Sequence, residues 1–486
     1  MPHSLKTTLL AGVLALAPLS AAAESVYDYG LPELGSGGTS VSGGEEFRLG
    51  RAWLRQFRAQ TQSWHDPIAQ AYIESLIARL LPYSEIGDTR LIVTLVDIRL
   101  LNAFAVPGGV IGVNAGLFTF AADKDAFASV LAHELGHLSQ RHYARRMQRL
   151  EETQLPTMAA MLASMVIAAG GGGSAGVAAM MGTQAAFMQD QLAYSRRFEQ
   201  EADRVGLEAM ASAGLDPQAM PEMFRAMQRL TNLQGGNPPE FLLTHPVTES
   251  RVSDTQARAD QLTARGAATD AADGESAYAM VRARALLELN RSNPSLAMAQ
   301  LRQDEAPKIA LRYLEALTAA QRGDTDTALE TLDALARQMP NLSMIPASAA
   351  EVALDAGRRD AALKRAERIL RLSPGYLPAQ MVRAEVLLQD APAEAFEVLR
   401  DMSQSESENP HVFTLLAEAA GRSGHTAWGL LARAEQLQLT GHIDHAIEQL
   451  EVAEDAATQA NDFVMASRIQ ERREEYLEYR ETLREF

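Results

Sequence analysis

Two histidines four residues apart, with a glutamate beside the first, are the side chains best suited to chemistry: His133-Glu134-Leu135-Gly136-His137. On a helix, a spacing of four puts both imidazoles on one face, one turn apart. Two imidazoles so placed can hold a zinc ion, and Glu134 can take the proton of a water whose pKa the ion lowers. A motif this short needs supporting context. A catalytic zinc also needs a third protein ligand and an open vertex. One common arrangement would require glycine at 140 and histidine at 143; the sequence has Gln140 and Tyr143. The third ligand must come from elsewhere, and the best candidate lies in Ser195-Arg196-Arg197-Phe198-Glu199-Gln200-Glu201-Ala202-Asp203. Glu199 and Asp203 are again spaced by four. Glu199 can bind the metal, while Asp203 hydrogen-bonds a ligand imidazole or assists proton transfer. Glu201 points to the other side and reads as a solvated charge. The bland alternative for the cluster is a surface helix paired with Arg196, Arg197 and Arg204.

These residues need elements to hold them. One helix is expected over 124–149, carrying the histidine pair and placing His142 at its C-terminal end, where a cation is favoured. Upstream, Leu91–Asp97 is rich in β-formers. Ala103–Val106 and Val110–Asn114 read as strands of a hairpin turned at Pro107-Gly108-Gly109. Further helices are expected from near Glu45, with Ser42 as cap, and over Pro67–Leu81, Ala193–Ala213 and Pro217–Leu230. Between Thr157 and Gln189 no Lys, Arg, Asp or Glu occurs, and Gly170 to Gly173 divide two apolar halves. Each half is too short to span a bilayer. The segment reads as a mobile flap touching membrane or unfolded substrate, with a buried hairpin and insertion as alternatives.

The chain of 486 residues carries 44 Lys and Arg against 62 Asp and Glu, a net charge of −18. That disfavours nucleic acid, which demands a basic surface. No cysteine is present, so disulfides, thiolate metal sites and a cysteine nucleophile are excluded. Residues 1–23 read as a secretory signal peptide: Lys6, an apolar run from Leu9 to Leu19, then Ala21-Ala22-Ala23. The expected destination is the periplasm. Residues 24–44 are Gly- and Ser-rich and read as a flexible leader. A catalytic domain is expected over 45–265, a linker over 266–276 and a repeat domain over 277–486. In the last, Gly323…Ala328-Leu329 recurs as Gly357…Ala362-Leu363 at an offset of 34, as do Pro340 and Pro374. Gly441…Ala446-Ile447 repeats the pattern later, and the copy near Ala391 lacks the glycine. A period of 34 with these positions is the tetratricopeptide signature, whose solenoid offers a groove for peptide or protein.

The motifs resemble peptidase family M48, which pairs H-E-x-x-H with a later E-x-x-A-D, here Glu199 through Asp203, and carries a stretch like Asn102-Ala103-Phe104-Ala105-Val106-Pro107-Gly108-Gly109. The resemblance implies a mostly α chain: an α+β, gluzincin-like zincin domain followed by an α-solenoid of tetratricopeptide repeats. It implies one zinc per chain on His133, His137 and Glu199, with Glu134 and Asp203 in the catalytic machinery. The strand with Asn102, Ala103 and Phe104 would be the sheet edge that an extended substrate joins. His245, in Thr244-His245-Pro246-Val247-Thr248-Glu249-Ser250-Arg251, would be a fourth ligand or an oxyanion donor. As a fourth ligand it would keep the enzyme latent. The substrates implied are unfolded or misfolded outer-membrane β-barrel proteins, and the partner is the machinery that assembles them, with a candidate peripheral membrane contact through 157–189. The competing expectation is a non-proteolytic chaperone or scaffold for the same assembly.

Overall fold

A computed structural model describes residues 42–169, 173–233, 240–264 and 272–484. The expected signal peptide over 1–23 and nearly all of the expected leader over 24–44 lie outside the described residues. The architecture is mostly helical, with one small sheet near the start of the described chain and a helical repeat region after it.

Helix α1 (Gly43–Gln60) starts where Ser42 and Glu45 form a reciprocal capping box, which recruits Gly43 and Gly44 from the expected leader. Helix α2 (Pro67–Leu80) is capped by Asp66, whose Oδ1 accepts from the backbone N–H of Ile68 and Ala69. Strands β1 (Ile92–Val96), β2 (Ala103–Val106) and β3 (Val110–Asn114) form a sheet in the order β1-β3-β2. β1 runs parallel to β3, and β2 pairs antiparallel with it, with Ala103 opposite Val113. The hairpin turn needs Gly108 and Gly109, both with positive φ (78° and 80°). β2 is therefore an edge strand in the described sheet.

Helix α3 (Ala115–Phe120) leads into α4 (Lys124–Ser139), which carries the histidine pair and buries Val130 through Gly136. The single helix expected over 124–149 is in fact two. α4 stops at Gln140 because Arg141 takes a left-handed conformation (φ 48°), and a separate helix, α5 (His142–Ala169), follows. A left-handed break at a non-glycine residue leaves no mark in the residue pattern. His142 thus begins a helix instead of ending one. Helix α6 (Gly173–Ser212) runs unbroken from the apolar segment into the acidic cluster, and it packs along both α4 and α5. Among the described residues no helix is long and apolar enough to cross a membrane. Helices α7 (Ala219–Leu233), α8 (Glu240–Thr244) and α9 (Glu249–Ala264) close the domain.

Helix α10 (Ala272–Leu289) joins the catalytic core to the repeats. Tyr278 donates to the Ala121 carbonyl (2.7 Å) and packs with Phe118 and Phe127. Burying those two phenylalanines contributes about 1.5–3 kcal/mol each. Arg284 reaches back to the free oxygen of the Asp66 cap (2.6 Å) and forward to Glu351 (2.8 Å). After α11 (Pro294–Gln303) come antiparallel pairs: α12 (Lys308–Gln321) with α13 (Thr325–Gln338), α14 (Met344–Asp355) with α15 (Arg359–Leu370), α16 (Leu377–Asp390) with α17 (Pro392–Ser405), and α18 (Pro410–Arg422) with α19 (Thr426–Leu439). The pairs turn at Gly323, Gly357, Ala391 and Gly424. Gly424 turns the pair that follows Ala391, and Gly441 makes a further turn of the same left-handed kind. Gly441 precedes α20 (Ile443–Gln459), and a Cβ there would strike the Arg55 carbonyl of α1. The last helix, α21 (Phe463–Arg484), also packs on α1, so the end of the repeats meets the start of the described chain.

Candidate metal centre

Helix α4 supplies His133, Glu134 and His137, helix α6 supplies Glu199 and Asp203, and the turn after α8 supplies His245. The two long helices meet closely enough to bring these side chains together because Gly136 of α4 lies on Ala202 of α6. A Cβ at Gly136 would come 2.7 Å from the Ala202 carbonyl oxygen and 2.9 Å from its Cα. Gly136→Ala should therefore cost about 1–3 kcal/mol by overpacking and pull Glu199 away from the histidines. The test is a lower denaturant midpoint together with weaker zinc binding.

His133, His137, Glu199 and His245 each direct one ligand atom into a common space, all within 4.8 Å of one another. The Nε2 atoms of His133 and His137 are 3.1 Å apart. His245 Nδ1 is 3.3 Å from His133 Nε2 and 3.2 Å from both Glu199 oxygens. Such a donor set suits a divalent cation: nitrogen lone pairs crowded at this distance repel unless a proton or a metal lies between them. Zinc accepts imidazole and carboxylate in this combination. Each Nε2 is also free to bind because its ring is held from the other side. His133 Nδ1 lies 2.9 Å from Asp203 Oδ1, and His137 Nδ1 is 2.8 Å from His142 Nδ1.

The electrostatics are strongly coupled. Burial would lower the His133 pKa, but Asp203 and Glu199 push it up to about 9. Burial holds His137 well below the ordinary range. Burial would raise Glu199, yet the charges of His245 and the other imidazoles hold it well below a usual carboxylate. Glu134 is almost fully buried, and burial pushes its carboxyl up. A backbone hydrogen bond ties it to Ala105 of β2, while Oε1 has no hydrogen-bond partner. The putting together of an unpartnered carboxylate oxygen, a ligand cluster and a sheet edge is what water-mediated attack on an extended peptide requires.

The match to the model of peptidase family M48 covers residues 67–259, from the start of α2 into α9. The chain is 31% identical to the β-barrel assembly-enhancing protease of Escherichia coli K12 over 467 residues, 93% of each chain. The chain belongs to peptidase family M48. It is a zinc metalloendopeptidase. The protein of the same name from Yersinia pestis is 30% identical over 90% of this chain and 91% of its own. The zebrafish mitochondrial metalloendopeptidase OMA1 is 28% identical over 41% of this chain and 43% of its own.

Three residues of this M48 site were not assigned from sequence. Arg251 on α9 is buried; its Nε and Nη2 each lie 2.7 Å from an oxygen of Asp203, and its Nη1 lies 2.9 Å from Glu199. His142 backs His137, and Glu201 backs His142 at 3.1 Å. The expectation that Glu201 is solvated is corrected: it is clamped by His142 and Arg145. Against the upward push of burial, those two partners hold its pKa at about 2. His142 is likewise no exposed helix-end cation, since burial lowers its pKa. The signals existed, a histidine five residues after His137 and an arginine closing the His245 block, but neither spacing belongs to one helical face.

Proposed function

We propose that this chain is a periplasmic endopeptidase that degrades unfolded or misfolded outer-membrane β-barrel proteins, with its repeats docking clients or the machinery that assembles them. The observation that carries the reading is the convergence of three imidazoles and a carboxylate beside Glu134 and the edge of β2. In this reading residues 45–265 form the catalytic unit and 277–486 the tetratricopeptide domain, behind a signal peptide over 1–23; of the expected linker 266–276, residues 272–276 already belong to α10. His133, His137 and Glu199 hold one zinc. When bound, the ion lowers the pKa of a water and polarises the scissile carbonyl. Glu134 takes the water's proton on Oε1 and returns it to the leaving amide nitrogen. Asp203, saturated by Arg251 and held ionised, orients His133 and is not itself a proton donor. A substrate strand adds to β2 along Asn102, Ala103 and Phe104, which favours unfolded segments because backbone hydrogen bonds need an extended chain. The periplasmic location rests on the signal-peptide pattern of residues 1–23. The apolar hairpin of α5 and α6 supplies the candidate contact with client or membrane.

His245 supplies the fourth ligand in this reading and keeps the resting enzyme latent. Its ring stacks on Phe241 (centroids 4.7 Å apart), and its Nε2 lies 3.6 Å from Glu134 Oε1, where water or substrate must enter. His245→Ala should raise turnover of an unstructured peptide on the order of tenfold, the equivalent of about 1.4 kcal/mol of closure. Equal rates for the parent and the variant would remove the latch. The function as a whole is tested by incubating purified, zinc-loaded protein with a denatured β-barrel protein and with the same barrel folded in detergent. Cleavage of the first only, stopped by chelation and restored by zinc, is expected; equal cleavage of both would sink the edge-strand reading. A second reading, a non-proteolytic scaffold, draws on the occupied fourth position. It predicts normal barrel assembly by a chain without Glu134.

A further inference from the structure

His137 is backed by a relay, whereas His133 meets its carboxylate directly. Behind His137 Nδ1 lies His142 Nδ1 at 2.8 Å, and His142 Nε2 is 3.1 Å from Glu201 Oε2. Glu201 is in turn fixed by Arg145, with Nη1 at 2.7 Å from the same oxygen. The His142 ring is 5% exposed and stacks on Phe198 at 4.2 Å and 19°, so it cannot turn away without losing that face. Phe198 immediately precedes Glu199 on α6, which ties the relay to the carboxylate grouped with the imidazoles.

The polarity of this chain of contacts is determined. If His137 keeps the Nε2 lone pair for a metal, its Nδ1 carries the proton and donates to His142 Nδ1. His142 then carries its own proton on Nε2 and donates to Glu201. Every donor finds an acceptor, and the chain ends on a negative charge. We infer that His142 and Glu201 are positioning residues that fix the tautomer and ring orientation of His137 and thereby tighten zinc binding. The inference rests on the reading that His137 is a zinc ligand. A carboxylate acting through a second imidazole does for His137 what Asp203 does for His133, and such supporting groups are typically worth about 10–100-fold in metal affinity.

The test is the zinc dissociation constant of the full-length chain, measured by chelator competition, with the visible spectrum of the cobalt-substituted protein as a second readout. His142→Leu should weaken zinc about 10–100-fold and shift the cobalt bands. His142→Asn places an amide oxygen near the position of Nδ1, so it should restore most of the affinity by accepting the His137 proton. Glu201→Gln should weaken zinc less than His142→Leu does. Thermal unfolding of the metal-free proteins separates a packing role: if His142→Leu lowers metal-free stability but leaves zinc affinity and cobalt bands unchanged, the inference is overturned. Failure of His142→Asn to rescue would overturn it too. His137→Ala is the control for the underlying reading. If it leaves zinc affinity unchanged, the ligand assignment itself falls; if it abolishes binding while His142→Leu does nothing, only the relay falls.

Discussion

Replacing Glu134 with glutamine should lower kcat/KM for an unstructured peptide by about 10²–10⁴-fold, roughly 3–5 kcal/mol of transition-state stabilisation. Metal content should not change. The substitution keeps the shape of a fully buried side chain and its backbone link to Ala105, so folding is preserved. What it removes is the capacity of Oε1 to receive a proton. Since the interaction is made only as water attacks, kcat should fall with little change in KM. The pH profile carries a second signature. Burial raises the Glu134 carboxyl, so the acid limb of the parent's kcat/KM should lie above the ordinary carboxylate range, and it should vanish from the residual activity of Glu134→Gln. A variant that cleaves as fast as the parent would show that another group takes the proton. The same protein separates the two functional readings: barrel assembly sustained by Glu134→Gln would credit the repeats, and its loss would credit hydrolysis.

The parts of the fold that follow from local chemistry were readable in the sequence. The β2–β3 hairpin has the expected bounds because a Pro-Gly-Gly turn allows little else. The helix expected over Pro67–Leu81 is α2, and the 34-residue spacing announces the helix pairs. The grouping of the candidate site was readable for the same reason: His133 with His137, and Glu199 with Asp203, are separated by a single helical turn. What escaped depends on tertiary geometry. Arg141 breaks a helix with no glycine to mark it, and that break carries His142 under His137. Glu201 looks solvated on an isolated helix, but α5 folds back over it with Arg145. The turn at Gly424 was missed because Ala391, one repeat earlier, had already lost the glycine that would have kept the count. Gly441 has the left-handed φ (83°) of the other turn glycines and is in addition pressed against α1.

Arg251→Leu should cost about 3–5 kcal/mol of stability at neutral pH, the range for stripping one partner from a buried ion pair. One guanidinium here serves three groups. It grips both oxygens of Asp203, touches Glu199 and donates to the Pro246 carbonyl beside His245 (2.9 Å). Without it, two almost fully buried carboxylates are left with imidazoles alone as partners. Arg251→Lys should recover only part of the loss, because an ammonium cannot span the two Asp203 oxygens and still reach Glu199. The pH dependence follows from the sign of the Asp203 shift. Burial would raise its pKa, but Arg251 depresses it below the ordinary value of about 3.9. In the parent its contribution is therefore present above about pH 4 and is lost as pH falls through the folded-state value. In Arg251→Leu, burial is less opposed, so the folded pKa rises and the ionised group destabilises the protein at neutral pH. The gap between parent and variant should be widest near pH 7 and narrow as the solution is acidified past pH 4. Urea titrations across that range measure it. Adding Asp203→Asn to Arg251→Leu should cost less than the sum of the single changes, since the second removes the charge the first left stranded. Excess zinc should restore part of the lost stability by binding only the folded state. Strict additivity, together with a pH-independent gap, would mean that Arg251 acts by packing under Phe224 (4.7 Å to the ring centre) and not by neutralising Asp203 and Glu199.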